Sequence, residues 1–207
     1  MNTGTLYIIS APSGAGKTSL VRAVTDSMSD VMVSISYTTR MQRPGEKDGV
    51  NYHFVDKALF EEYLKKDIFL EHAKVFGNYY GTSHQWVKEK LVAGIDVILE
   101  IDWQGAQQIR ARMKNTVSVF ILPPSQEVLL KRLHERAQDQ EAVIRERMAQ
   151  AHKEISHYSE YDYLVINDDF ATAVADLEAI ITARRLLLSL QKEKNADLLA
   201  NLLAASA

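Results

Sequence analysis

An α/β fold built on a central parallel sheet is predicted by three features of the sequence. An apolar run at 6–9 leads straight into Ala11-Pro12-Ser13-Gly14-Ala15-Gly16-Lys17-Thr18 and then into a helical pattern from Ser19. Strand, glycine-bearing loop, Lys-Thr and helix together are the context that a phosphate-binding P-loop requires. The other apolar runs are continuous rather than alternating and are separated by helical stretches, as expected of parallel strands covered on both faces. From Tyr37 to about Gly94 the texture changes to Gly, Tyr, Asn and charge. The expected architecture is therefore a three-layer P-loop core at 1–36 and 95–207, a mixed α/β subdomain inserted at 37–94, and a helical lid at about 125–158.

The first element, Leu6-Tyr7-Ile8-Ile9, delivers the loop that follows it. The loop's backbone N–H groups turn inward and the helix N-terminus adds partial positive charge, which makes an anion site. Lys17 is placed to reach β- and γ-phosphates, and the Thr18 hydroxyl to ligate Mg²⁺. The strict motif starts with Gly where this chain has Ala11, which suffices if φ there is negative. A second strand is read at 31–35. In the insert, Arg43-Pro44-Gly45, Asp48-Gly49 and Gly77-Asn78 are turn signals, and runs such as 52–55 are small strands. Further core strands are read at 97–101, 117–122 and Tyr163–Ile166. Pro123-Pro124 ends one of these, and Ser125 can cap a helix over 127–135. A polar break at 137–140 separates it from a second helix at 141–158, a plausible hinged lid. The stretch 170–203 reads as one long or broken amphipathic helix.

Composition narrows the function. The 207 residues suffice for one well-cored domain. With 46% hydrophobic and 25% charged residues the usage is globular, and a net charge of −3 argues against a nucleic-acid partner. No apolar run reaches membrane-spanning length, so no membrane partner is expected. No signal peptide is read, and cysteine is absent, which excludes disulfides and thiolate chemistry. A cytoplasmic location is expected. The six histidines (53, 72, 84, 134, 152 and 157) lack metal-site spacing and read as structural or surface residues.

Several side chains suit phosphate chemistry. The apolar strand at 97–101 ends in Glu100 and Asp102, two apart and hence expected on one face. An acid at a strand end beside a P-loop is where a Walker B group holds Mg²⁺, directly or through water; solvated strand-end acids are the bland alternative. Arg40, Arg43, Tyr52 and Tyr80 suit a second phosphate, because guanidinium forks match its oxygens. Taken alone, two loop arginines are ordinary surface charge. Glu71 lies among apolar residues and can accept two N–H donors from one planar group, although alone it reads as a helix-surface glutamate. Arg132, Arg136, Arg145 and Arg147 lie in the lid, where they either close over a triphosphate or form a solvated basic face.

From about Thr5 to Leu190 the chain resembles the bacterial guanylate kinases. The resemblance is carried by 10–18, Thr38-Thr39-Arg40, Arg43-Pro44-Gly45-Glu46, Phe69-Leu70-Glu71, Gly77-Asn78-Tyr79-Tyr80-Gly81-Thr82, Ile101-Asp102-Trp103-Gln104-Gly105, 121–125 and 165–169. It implies a GMP-binding insert in which Arg40, Arg43, Tyr52 and Tyr80 hold the GMP phosphate and Ser36, Glu71, Thr82 and Asp102 read guanine. Guanine offers N1–H and N2–H₂ donors that a carboxylate accepts, and O6 and N7 acceptors that hydroxyls can serve. Adenine lacks that pattern, and unpaired buried groups can reject it by roughly 10⁴-fold. The resemblance further implies ATP on residues 11–18, Asn167 near the adenine, and Arg136 and Arg147 as lid arginines. Two positions depart from the family's usual pattern: Glu100 stands where Asp is common, and Arg136-Ala137 where Arg-Gly is usual.

The implied reaction is ATP + GMP ⇌ ADP + GDP, by in-line attack of a GMP phosphate oxygen. That phosphate has a second pKa of about 6 and needs no general base. Catalysis then rests on positioning and charge neutralisation by Lys17, Mg²⁺, Arg40, Arg136 and Arg147. Two rival readings also fit part of the sequence. A GTPase switch would use Asp102-Trp103-Gln104-Gly105, but Asn-Lys-x-Asp is absent. A non-catalytic phosphopeptide-binding module typically has a degraded P-loop. The C-terminal helix packs either on its own core or on a second subunit, which makes it a candidate homo-oligomer surface.

Overall fold

Residues 3–75, 77–136 and 141–204 are described by the computed structural model, apart from the side chains of 136 and 141–146. The strands, in chain order, are β1 (Leu6–Ser10), β2 (Val31–Val33), β3 (Tyr37–Thr38), β4 (His53–Phe54), β5 (Phe69–Val75), β6 (Asn78–Ser83), β7 (Asp96–Glu100), β8 (Thr116–Leu122) and β9 (Tyr163–Ile166). The helices are α1 (Lys17–Ser27), α2 (Lys57–Lys65), α3 (His84–Val92), α4 (Trp103–Arg112), α5 (Gln126–Arg136), α6 (Glu141–Ile155), α7 (Phe170–Arg185), α8 (Leu188–Lys194) and α9 (Ala196–Leu203).

Two sheets form among the described residues. One has the order β2-β7-β1-β8-β9 and is parallel throughout. The other has the order β4-β3-β6-β5, with β3 parallel to β4 and the remaining pairs antiparallel. The first sheet explains the continuous apolar runs. Side chains alternate between faces along a strand, and both faces of β1 are covered. Tyr7 and Ile9 join Leu20, Val21 and Val24 of α1 and Leu177 and Ile181 of α7 on one side. Leu6 and Ile8 join Val87 of α3 and Ala106 and Ile109 of α4 on the other. Truncating such a residue typically costs about 2–5 kcal/mol, so the centre of this sheet is a rigid base for the loops at its C-terminal edge.

Some boundaries differ from those read in the sequence. The second strand stops at Val33, although Ser34 N–H still donates to Ile98 O at 2.9 Å. Only His53–Phe54 of the run at 52–55 pairs as a strand. Ser125 caps α5 as expected, accepting from Val128 N–H at 3.2 Å. Residues 137–140, with Ala137, lie outside the described residues. The C-terminal stretch is broken into three helices, with Leu186-Leu187 and Asn195 between them. The first of these, α7, is capped by Asp169, which accepts from Thr172 N–H at 2.8 Å. No described helix is long and apolar enough to cross a membrane.

Candidate active site

The parallel register sets Ile9 of β1 beside Glu100 of β7, so the loop after β1 and the acid ending β7 emerge together. Gly14 and Gly16 both have φ of +92°, a conformation that glycine adopts without steric cost. Ala11 is not among the positive-φ residues, so it serves where the strict motif has Gly. Ser10 ties the loop's root to the neighbouring strand, its hydroxyl donating to Ile101 O at 2.7 Å. Thr18 Oγ1 donates to Glu100 Oε2 at 2.9 Å, and Lys17 Nζ lies 3.8 Å from the same oxygen.

A cavity of about 600 Å³ opens above this loop. Its lining includes the P-loop from Ala11 to Gly14 with Gly16, Lys17 and Thr18, and also Ser36, Tyr52, Glu71, Tyr80, Glu100, Asp102, Arg132 and Glu154. Glu71 and the P-loop, 53 or more residues apart in sequence, thus face one space. Glu71 lies on β5, not on a helix surface, and is only 2% exposed. Its cross-strand partner is Thr82 of β6, whose hydroxyl donates to Glu71 Oε1 at 2.6 Å. Burial pushes the Glu71 carboxyl up to about 7, with the Asp102 charge adding to the rise and the Thr82 hydroxyl opposing it.

Other expected residues are placed less uniformly. Glu100 and Asp102 both line the cavity, but strand alternation ends at Glu100, and Asp102 instead caps α4. Its Oδ1 accepts from Gly105 N–H at 3.0 Å and its Oδ2 from Gln104 Nε2 at 2.9 Å. Tyr52 and Tyr80 are edge to face in the lining, 6.0 Å between centroids. The Arg40 guanidinium lies 5.3 Å from the Tyr52 ring centroid and donates to Glu46 Oε1 at 2.7 Å and to Met41 O at 2.8 Å. That guanidinium holds the Glu46 carboxyl below the usual carboxylate range. Arg43 is exposed, and its backbone N–H donates to Glu46 Oε2 at 2.8 Å. Arg40, Arg43 and Thr82 are not lining residues. Thr82 stands behind Glu71 and is fully buried.

Asn167 also stands behind the loop. It is 4% exposed, and its Nδ2 donates to Ala15 O at 2.7 Å. A Cβ on Gly16 would come within 2.4 Å of that nitrogen, so the glycine serves both the positive φ and this close approach. Arg147 is half-buried on α6, and the Arg136 side chain lies outside the described residues. Two residues gain importance here. Arg132 of α5 lines the cavity and donates from Nη2 to Asn167 O at 3.2 Å, while its buried Nη1 has no hydrogen-bond partner. Glu154 of α6 accepts from Ser13 N–H at 3.2 Å. Burial pushes its carboxyl up to about 7, against the pull of Ser13 N–H and Lys17. In sequence Glu154 is one charge among many on a polar helix, and only the packing of α6 against the loop singles it out.

Comparison with known proteins places the chain among relatives. The guanylate kinase family model matches residues 3–184. A guanylate kinase of Alcanivorax borkumensis is 60% identical over 201 residues, 97% of each chain. That of Saccharophagus degradans is 58% identical over 202 residues, 98% of each, and that of Escherichia coli K12 is 56% identical over 206 residues, covering 99% of this chain and 100% of the relative. The crystal structure of the Anaplasma phagocytophilum guanylate kinase aligns with a TM-score of 0.77 at 31% identity, covering 90% of this chain and 89% of that one.

Proposed function

The chain belongs to the guanylate kinase family, and from that premise we propose how its own residues carry phosphoryl transfer from ATP to GMP. The observation that carries the assignment is the buried carboxylate of Glu71, held by Thr82 in the same cavity as Lys17 and the P-loop. A buried carboxylate is costly unless something pairs with it. Guanine, with N1–H and N2–H₂ on one edge, is a partner of matching shape. Ser36, Thr82 and Asp102 complete the base site: Ser36 and Asp102 from the lining, Thr82 by fixing Glu71.

The phosphates of ATP lie on the backbone of Ala11, Pro12, Ser13, Gly14, Ala15, Gly16, Lys17 and Thr18, with Lys17 neutralising charge. Asn167 serves ATP through the loop, by bracing Ala15. The GMP phosphate is held by Arg40, Arg43, Tyr52 and Tyr80. It is largely dianionic at neutral pH, so its oxygen attacks in line without a general base, and Arg136 and Arg147 of the lid offset charge on the transferring group.

The donor set also fits Mg²⁺. Thr18 Oγ1 and Glu100 Oε2 are hard oxygen donors 2.9 Å apart, and no group of three or more acidic, His or Cys residues that could cage a metal occurs among the described residues. Mg²⁺ characteristically takes one or two protein ligands and completes its shell with water and substrate phosphates. Held by Thr18 and by Glu100, directly or through water, it would neutralise phosphate charge. The same reading includes a cytoplasmic location and self-association through α9, supported by its exposed Leu198, Leu202 and Leu203.

The test is ADP formation from ATP and Mg²⁺ with GMP, AMP, CMP or UMP as acceptor, and with none. Rapid ADP and GDP formation with GMP alone is expected. Transfer to no acceptor despite nucleotide binding would refute the reading.

A further inference from the structure

Gly105 occupies the first turn of α4 with Asp102 as the cap. Its φ is not positive, so neither a turn nor a left-handed conformation explains a glycine there. Glycine inside a helix is less favourable than alanine, and the site therefore calls for a packing reason. An ideal Cβ on Gly105 would stand 2.5 Å from Glu71 Oε2, 3.2 Å from Glu71 Cδ and 3.3 Å from Ile101 Cβ. A contact of 2.5 Å between a methyl carbon and an oxygen is deep inside van der Waals range, so one side would have to move.

Neither side yields readily. Glu71 is anchored through Oε1 to the Thr82 hydroxyl, sits on a paired strand and is almost fully buried. The turn of α4 is pinned by the Gly105 N–H donation to Asp102 Oδ1. The carboxylate of Glu71 is thus gripped from two directions, by a hydroxyl on one oxygen and by bare helix backbone against the other.

We propose that Gly105 is a specificity-determining positioning residue: its missing side chain sets the depth at which the Glu71 carboxylate meets the acceptor base. The proposal rests on the reading of Glu71 as the group that recognises guanine. A side chain at 105 pushes the carboxylate out towards the cavity or rotates it off the Thr82 hydroxyl, and either movement spoils a two-point hydrogen bond to a planar base. Misplacement by about 1 Å can cost on the order of 100-fold where geometry is fixed. The ATP half of the site, built on the loop after β1, is left as it was.

The experiment is a double-mutant cycle of G105A and E71A in the full chain, read by the KM for GMP, the KM for ATP, kcat and thermal melting. G105A is expected to raise the KM for GMP by about 10- to 100-fold, with the KM for ATP changed less than about twofold and kcat at saturating GMP retained. In the E71A background the carboxylate clash is gone and only the 3.3 Å approach to Ile101 Cβ remains, so adding G105A leaves the KM for GMP unchanged and lowers the melting temperature less than in the wild-type background. An unchanged KM for GMP in G105A overturns the proposal, as does an equal rise in both KM values or the same rise with and without Glu71. If G105A alone does not fold, recovery of folding in G105A/E71A supports the clash and its persistence overturns it. Failure of the underlying reading shows separately: E71A by itself would then leave the KM for GMP and the preference over AMP unaltered.

Discussion

Replacing Glu71 by Gln should make the unliganded protein more stable and nearly blind to GMP. The Glu71 carboxyl titrates near 4.5 when solvated and is pushed up to about 7 in the fold, chiefly by burial. The folded state therefore holds a proton that the unfolded chain has released. Its advantage is complete below about pH 4.5 and is lost as pH rises through about 7, at about 1.4 kcal/mol per pH unit. At pH 8 the ionised carboxylate costs the unliganded fold on the order of 3 kcal/mol. E71Q removes that charge and keeps an oxygen for the Thr82 hydroxyl, but its amide donors need new acceptors, so 3 kcal/mol is an upper bound. For a protein of this size about 1 kcal/mol corresponds to roughly 2–4 °C. Calorimetric melting should thus show E71Q up to about 10 °C above wild type at pH 8 and within about 2 °C at pH 5. The same variant cannot accept from N1–H and N2–H₂ as a carboxylate does. At about 1.5–3 kcal/mol for a hydrogen bond to a charged group, the KM for GMP should rise by about 100-fold or more. A lower melting temperature at pH 8, or an equal increment at both pH values, would refute the argument that ionised Glu71 is a cost borne for recognition.

Two further perturbations probe the ATP side. E154Q removes a carboxylate that competes with phosphate oxygens for Ser13 N–H; because that carboxyl is pushed up to about 7, the KM for ATP should fall severalfold at pH 8 and hardly change below pH 6. The same substitution should flatten the loss of stability between about pH 4.5 and 7, and weaker ATP binding at pH 8 would show that the carboxylate assists instead. G16A places a Cβ 2.4 Å from Asn167 Nδ2 at a φ of +92°; it should cost about 2–4 kcal/mol and raise the KM for ATP more than tenfold, and N167A in the same chain should return part of the stability in a melting experiment but not the ATP affinity.

What was legible in the sequence follows from how local each signal is. The P-loop and its flanking strand and helix are contiguous, and β9 falls at Tyr163–Ile166 as read, although as the edge strand of its sheet it buries only Val165. The C-terminal breaks were less legible, since Leu186, Leu187 and Leu188 continue an apolar pattern across the end of α7. Glu71 could not be recognised as a buried strand residue from its neighbours. Its environment comes from Thr82, 11 residues on, and from Gly105, brought by α4. The Glu154–Ser13 and Asn167–Ala15 contacts span 141 and 152 residues, and no periodicity within either segment encodes them. Tertiary packing decided which groups face the cavity and which stand behind it.

That distribution has an electrostatic consequence. Five carboxylates line the cavity among the described residues, Glu71, Glu100, Asp102, Glu135 and Glu154, against the cations Lys17 and Arg132. Away from the anion site of the P-loop, such a lining repels phosphate rather than attracting it. Burial relieves part of the conflict, by pushing the carboxyls of Glu71 and Glu154 up to about 7. The remainder has to be met by charge that arrives with the substrates or from outside the lining. Arg40, Arg43 and Arg147 are not lining residues, and Arg40 is already paired with Glu46. On the proposed reading guanine covers Glu71, Thr18 and Glu100 would hold a metal that offsets phosphate charge, and the arginines of the insert and lid would bring their charge onto the phosphates. On that reading the preformed loop and Lys17 hold the ATP phosphates, and the arrangement that neutralises the transferring group is also the one that excludes water from it. A cavity already lined with arginine would hold ATP tightly while open and expose its γ-phosphoryl group to hydrolysis. On that reading the acidic lining would tie binding, closure and transfer to one event.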